Sequence, residues 1–186
     1  MDKAPTRDRI LVATAELFRR QGYTGTGLKA VVAEADAPFG SLYHHFPGGK
    51  QQLAGEVIRA SGAFFQALVL AAYDEQATTA ESVRAVFTGA AETLEATDYA
   101  DACPIATVAL EVASTDEILR LVTAEVFTAW TDALTERLAG DRDRAFGILS
   151  ALEGAFVLCR ALCSTEPMHA AGRLAVAGIE ASRRIS

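Results

Sequence analysis

Cysteine and proline are both scarce in this chain, with three and five copies in 186 residues. The cysteines, Cys103, Cys159 and Cys163, are odd in number and form no Cys-x-x-Cys pair, so neither a disulfide framework nor a zinc site is indicated. Cys159 and Cys163 lie four apart and share one face of a helix, where thiols pack as small hydrophobes; the alternative, a redox sensor, needs exposure and a depressed thiol pKa. No uninterrupted apolar run approaches the roughly 18 residues of a membrane span, because Asp, Glu or Arg recurs throughout. The N-terminal MDKAPTRDR places charges where a signal peptide has its apolar segment. These absences predict a cytoplasmic protein with no membrane partner. Paired acids, a phosphate loop and a motif-placed histidine beside a cysteine are also missing, which leaves an enzyme built on Cys103 or Glu111 with little support. No metal or other cofactor is expected, since the adjacent His44 and His45 have no third ligand at suitable spacing.

What is present is an alanine-rich, helix-patterned composition, 51% hydrophobic, at a length whose folding buries roughly 70% of the unfolded surface. The net charge of −7 is unevenly spread. Residues 1–60 carry eight Lys/Arg against six acids, net +2, and the remainder carries nine against eighteen, net −9. Two of the three histidines also fall in the basic end, in SLYHHF followed by PGGK, so an anionic partner at that end is compatible with an acidic chain.

From Thr6, the spacing of Ile10, Ala13, Thr14, Leu17 and Phe18 predicts an amphipathic helix over about 6–21, ended by Gly22. Thr24 and Thr26 offer N-cap hydroxyls to a short second helix, LKAVVAEA, with Leu28, Val31 and Val32 inward. Asp36 marks a turn, and Pro38 suits the first turn of the helix that follows. Two short helices across a tight turn behind a longer one make a helix-turn-helix unit. A long helix then runs from Lys50 through Leu53, Val57, Ala60, Phe64 and Leu68 to about Tyr73. Five further helical patterns follow, over about 78–97, 103–114, 116–139, 142–164 and 167–183. No segment alternates as a strand, and no internal repeat or low-complexity linker interrupts the chain.

Taken together, TGTGLKAVVAEADAPFGSLYHHFPGGKQQL resembles the DNA-binding segment of the TetR family of transcriptional regulators. CPIATVALEVAS and LEGAFVLCRALCSTEP are similar to the C-terminal domain of its LmrA/YxaF-like subgroup. The resemblance implies an all-α fold of about nine helices. A three-helix helix-turn-helix DNA-binding domain over 1–50 would precede a helical ligand-sensing and dimerisation domain over 51–186. It further implies a homodimer on a palindromic double-stranded operator, most simply a repressor. Two positions depart from the family pattern: Asp36 stands where the turn usually has glycine, and Phe39 where relatives often carry Lys, Glu or Gln.

DNA affinity comes largely from neutralised phosphates and specificity from base edges, so the site residues divide into two sets. Thr26, Tyr43, His44 and Lys50 are the phosphate candidates, with Thr26 and Lys50 at helix N-termini that already favour an anion. Tyr43 could instead be core packing with an incidental hydroxyl. His44 and His45, adjacent on a helix, point different ways, one of them toward DNA. Lys29, Pro38, Phe39 and Ser41 are the base-reading candidates. In the family the position of Lys29 can reach a guanine, though a solvated surface lysine fits the pattern as well. Phe39 touches a thymine methyl or staples the helix to its neighbour.

In the second domain, Phe87, Ile105, Val108, Phe127, Trp130 and Phe156 are expected around a common interior, and the resemblance adds Cys103 and Glu111 as contacts at a ligand pocket. An apolar cavity in acidic surroundings predicts a small hydrophobic effector, neutral or cationic. Phe146, Leu149, Gly154 and Ala155 are expected at the dimer interface, where small residues allow close helix approach. The competing reading is a helix-turn-helix regulator controlled by thiol oxidation or a protein partner.

Overall fold

The computed structural model describes residues 4–72 and 78–183. Among them there are helices and no strands: α1 (Thr6–Gly25), α2 (Leu28–Glu34), α3 (Phe39–His45), α4 (Gly49–Ala72), α5 (Thr79–Ala96), α6 (Pro104–Val112), α7 (Glu117–Arg137), α8 (Arg142–Leu162) and α9 (Glu166–Arg183). The all-α architecture is the expected one, and the boundaries fall close to those read from periodicity. The expected end of the fourth helix at Tyr73 lies outside the described residues.

The starts of the later helices have local causes. Thr78 and Glu81 form a capping box ahead of α5, with the Glu81 N–H donating to Thr78 Oγ1 at 3.3 Å and the Thr78 N–H to Glu81 Oε2 at 2.7 Å. The Asp141 carboxylate accepts from the Arg144 N–H at 2.9 Å to cap α8, and Asp116 accepts from the Leu119 N–H at 3.0 Å to start α7. Gln51 on α4 also donates to both Asp116 oxygens, at 2.9 and 3.1 Å, and these bonds hold that carboxyl below the usual carboxylate range.

Three local readings need correction. Thr26 does not cap α2, whose N-cap is Gly27; it is buried, and its hydroxyl donates instead to Gly22 O at 2.7 Å. Pro38 is the N-cap residue of α3 and precedes its first turn. On α4, Leu53 and Val57 are buried as expected, but Ala60 is exposed, Phe64 is 67% exposed and Leu68 53%. At about 100° per residue these five positions stay within about 80° of one another, so the loss of burial along α4 is not a drift of the apolar stripe around the helix.

Packing groups the chain into two units, the first formed by residues up to Ala63 with Cys103–Val126, the second by Phe64–Ala102 with Phe127 onward. Both α4 and α7 contribute to each unit. This packing division is discontinuous, unlike the single functional cut expected near residue 50, because α6 and the start of α7 pack with the N-terminal helices.

In the first unit α1 packs against α2, α3 and α6. Ile10, Phe18, Val31, Leu42, Phe46, Leu53, Val57, Ile105, Val108 and Leu119 are buried there. Two glycines permit close approach. Gly22 breaks α1 with φ +73°, and a Cβ at that position would lie 1.7 Å from Glu111 Oε1. The same Glu111 carboxylate accepts the Thr24 N–H through Oε2 at 2.6 Å, so α6 satisfies a backbone donor left open where α1 ends. Gly62 on α4 faces Val126 on α7, where a Cβ would meet Val126 Cγ1 at 2.5 Å.

The second unit is built from α5, α8 and α9 together with the ends of α4 and α7. Its core joins Val83, Phe87 and Leu94 of α5 to Ile148, Leu152 and Cys159 of α8 and Met168, Val176 and Ile179 of α9. Arg160 donates to the carbonyls of Tyr99 and Ala100, both at 3.2 Å, and so ties the segment after α5 to α8.

Two stability predictions follow from the glycine contacts. Gly62→Ala should cost about 1–3 kcal/mol by overpacking against Val126, while Gly89→Ala, where a Cβ meets nothing within 4 Å, should be neutral or stabilising by up to about 1 kcal/mol; urea titration of both variants checks this. Gly22→Ala should lose about 1–3 kcal/mol to its positive φ and extended ψ of −176° alone, and more to the Glu111 clash. In a Glu111→Ala background the clash is gone, so the double-mutant cycle should show coupling of about 0.5 kcal/mol or more; strict additivity would remove this contact from the account.

Candidate DNA-binding face and ligand cavity

The turn between α2 and α3 is a Schellman closure. Ala37 N–H donates to Val32 O at 2.9 Å and Asp36 N–H to Ala33 O at 3.1 Å, with Asp36 in the left-handed region at φ 45°. Asp36 adopts the conformation that glycine would take without strain. Arg9 on α1 supplies support that the sequence reading missed: its guanidinium donates to Ala35 O at 2.9 Å, Asp36 O at 3.0 Å and Ala4 O at 2.7 Å. Two carbonyls at the end of α2 thereby gain charge-assisted partners. An arginine in the first turn of α1 is the only trace of this in the sequence, and nothing in the local pattern distinguishes it from a solvated charge.

On α3, Leu42 is buried and anchors the helix, as does Phe46 just after it. The opposite side is open. Phe39 is 45% exposed and Tyr43 50%, with their rings edge to face at 5.8 Å, one helical turn apart. Phe39 therefore packs on Tyr43, and Tyr43 is not a core residue. Pro38 and His44 are exposed, Ser41 and His45 half-buried, and Lys29 on α2 is exposed. Thr26, the remaining phosphate candidate, is withdrawn from this surface by its burial and its bond to Gly22.

Lys50, the second residue of α4, has its ammonium 4.4 Å from the Tyr23 ring centroid, a cation–π distance. Partial burial lowers its pKa, and the nearby Glu111 carboxylate opposes that shift. Tyr23 sits immediately after the Gly22 break, so the Glu111 contact and the Lys50 position share one turn.

In the second unit a cavity of about 60 Å³ is enclosed by α4, α5, α7 and α8. Phe65, Val83, Phe87, Trp130, Leu149 and Leu152 are among its walls, and among its described lining residues the polar ones are Gln66 and Arg137. The Phe65 and Trp130 rings lie 4.8 Å apart, tilted by 49°.

Of the expected ligand contacts, Phe87 and Trp130 line this cavity and six do not. Phe127 reaches it only through Trp130, ring to ring at 5.7 Å, and Phe156 packs against the unit's core. Ile105 and Val108 are buried in the first unit, where Cys103 caps α6 through a sulfur that accepts from the Ala106 N–H at 3.5 Å. Glu111 is committed to Thr24. The expectation failed here because apolar periodicity says that a face is inward, without saying into which interior. Among its described lining residues there is no carboxylate to match the cationic effector expected from overall acidity.

The expected dimer residues also separate. Phe146 and Gly154 are exposed on α8, whereas Leu149 lines the cavity and Ala155 is in the core. The exposed side of α8 continues through Ser150, Val157, Leu158, Ala161 and Leu162, at helical spacing from Phe146. On α9, Ala170, Leu174 and Ala177 repeat the pattern, with Leu174 74% exposed. Among the described helices α8 alone is long and apolar enough to cross a membrane, at mean hydropathy 1.6, and its surplus lies on this uncovered stripe. Of the thiols, Cys159 is buried, which pushes its pKa up, and Cys163 is exposed at the left-handed C-cap of α8.

Comparison with known proteins completes the picture. The profile of "Bacterial regulatory proteins, tetR family" matches residues 10–57, and that of "Transcriptional regulator LmrA/YxaF-like, C-terminal domain" matches 79–174. The chain is 34% identical over 136 residues to the uncharacterized HTH-type transcriptional regulator YxaF of Bacillus subtilis, covering 73% of this chain and 71% of that protein. It is 33% identical over 138 residues to the HTH-type transcriptional regulator LmrA of the same organism, covering 74% and 73%. The fold is similar to that of the regulatory protein TetR from Rhodobacter sphaeroides, with a TM-score of 0.83 and 20% identity over 91% of this chain and 96% of that one. The helix-turn-helix with its open α3 face and the matched C-terminal segment lead to one conclusion: the chain belongs to the tetR family of bacterial regulatory proteins, as a DNA-binding transcriptional regulator with an LmrA/YxaF-like C-terminal domain.

Proposed function

We propose that this regulator is a repressor that binds a palindromic operator as a homodimer and is released by a small hydrophobic effector. The observation that carries the reading is the pairing of an open α3 face with an apolar cavity walled partly by α4 and α7, the two helices that contribute residues to both packing units. A ligand that displaces Phe65 or Trp130 acts on those helices directly. By linkage, the factor by which the effector weakens operator binding equals the factor by which operator weakens effector binding.

In this account α3 enters the major groove, with Phe39 and Ser41 against base edges and Lys29 reaching from α2. Tyr43, His44 and Lys50 engage phosphates, Lys50 from a position fixed by Tyr23. The uncovered stripe of α8 and α9 pairs with its own copy, since a self-complementary surface of Leu, Val, Ala and Gly closes by two-fold symmetry. Two α3 helices then meet successive major grooves roughly 34–36 Å apart. Work in the cytoplasm follows from action on DNA.

Selection of bound duplexes from a random pool tests the class of site: a palindrome supports the dimeric reading, and a single non-repeated half-site overturns it. With that duplex as probe, Lys50→Ala and Tyr43→Phe should weaken all sequences similarly, with Lys50→Ala reducing the salt slope by about 1. Lys29→Ala should relax preference at one base pair at a cost of about 1–3 kcal/mol, and unchanged affinity in Lys50→Ala would refute the docking.

The dimer surface has its own check. Gly154→Leu adds bulk where the single chain has nothing within 4 Å of a Cβ, and Leu158→Arg places a charge on a 53% exposed position. Both should leave the helical content intact and shift sedimentation toward monomer. An undisturbed dimer in both variants would move the interface off α8.

A further inference from the structure

A chain of contacts in the first unit runs from α6 to Lys50. Gly22 breaks α1 at φ 73° and ψ −176°, and the Thr24 N–H beyond the break is accepted by Glu111 Oε2 at 2.6 Å. The other oxygen of the same carboxylate fills the space against Gly22, where a Cβ would come within 1.7 Å of it. Glu111 therefore grips the residues on both sides of Tyr23. The Tyr23 ring stands edge to face with the buried Phe18 at 5.9 Å and holds the Lys50 ammonium over its own face at 4.4 Å. Burial lowers the Lys50 pKa and the Glu111 charge opposes that shift, so the carboxylate is also within electrostatic reach of the ammonium.

These contacts give Glu111 two opposite effects on DNA. As a negative charge near a phosphate-binding ammonium it works against DNA, and on that account its removal tightens binding. As the acceptor that sets the Thr24 backbone it fixes where Tyr23 presents its ring, and a lysine already held in place loses less side-chain freedom on meeting a phosphate. The second effect is the larger, because ordering the backbone of residues 22–24 on DNA costs more than one partly solvated charge repels. We infer that Glu111 is a positioning residue for DNA binding: by fixing the Gly22–Thr24 turn from α6, it holds Tyr23 against Lys50 and so presents the Lys50 ammonium to a backbone phosphate. This rests on the reading of Lys50 as a phosphate contact. Glu111 lies 87 residues from Thr24, on a helix outside the helix-turn-helix.

The test uses a duplex of fixed mixed sequence, since phosphate contacts act on any sequence, and the duplex selected from a random pool. Anisotropy of labelled DNA over a salt series gives affinity and slope for the full chain, with active protein counted by stoichiometric titration. Lys50→Ala should bind about tenfold more weakly, the worth of one charged hydrogen bond, and reduce the salt slope by about 1. Glu111→Ala should also weaken binding, by at least about threefold, and reduce the slope, although it deletes a negative charge. Glu111→Gln, which keeps an oxygen to accept the Thr24 N–H, should recover most of that loss. Tyr23→Leu, which removes the ring and leaves the Glu111 contacts in place, should show the same fall in slope. With Lys50 already replaced, Glu111→Ala should cost less than about twofold more. A smaller folded fraction changes the active count and leaves the slope alone, so a merely structural role does not reproduce this pattern. Unchanged or tighter binding by Glu111→Ala overturns the inference, as does a loss that persists undiminished in the Lys50→Ala background. An unchanged slope in Tyr23→Leu overturns it too, and that comparison does not require Glu111→Ala to fold. If Lys50→Ala itself changes neither affinity nor slope, the phosphate reading of Lys50 falls, and this inference with it.

Discussion

The contact between Glu111 and the Gly22–Thr24 turn is the constraint on which the first unit depends. A helix that ended at residue 22 in any ordinary way would leave N–H and carbonyl groups to solvent and the following chain free to choose its direction. Here a carboxylate from α6 occupies the volume of a missing Cβ and accepts the Thr24 N–H, so the break in α1 is made by a residue distant in sequence. Burial of Thr26 and its hydrogen bond to Gly22 O close the same turn from the other side. The direction of α2, and the placement of Tyr23 beneath Lys50, follow from it.

A second device holds the recognition turn. Asp36 in the left-handed region costs more than glycine would, and the Arg9 guanidinium collects the carbonyls that the turn turns outward. Together, Arg9 and Glu111 give the α2–α3 pair two polar anchors, one on α1 and one on α6. The apolar anchors Leu42 and Phe46 then set which side of α3 is left open. An exposed Phe39–Tyr43 ring pair on that side gives α3 an apolar ridge.

The second unit solves a different problem. Its core is aliphatic and aromatic, built where α5, α8 and α9 meet, with Gly172 allowing α9 within contact of Phe87. The same Phe87 lines the cavity, so core packing and the cavity wall share a side chain. On the far side of α8 apolar residues such as Val157, Leu158 and Leu162 are uncovered in the single chain.

Periodicity determined the helices and their order, because each helix carries its own apolar stripe, to which α5, α7 and α8 add side-chain caps from Thr78 with Glu81, Asp116 and Asp141. The open face of α3 was only partly legible: the pattern left Phe39 and Tyr43 each with a packed alternative and His44 and His45 undivided, and burial of Leu42 and Phe46 decides it, leaving Phe39, Tyr43 and His44 outward. What only the tertiary structure decided is which inward faces share an interior. Ile105 and Val108 look inward on a helical wheel, and the resemblance added Glu111 to them, yet all three belong to the first unit; Leu149 looks like an interface residue and lines the cavity; Ala155 is core. Arg9 and Arg137 carried no signal, because a charged residue in a terminal turn reads the same whether it meets water, three carbonyls or a cavity mouth. The reason is one of range: a helix is specified by neighbours within about four residues, whereas the partner of Glu111 lies 87 residues away and is chosen by packing.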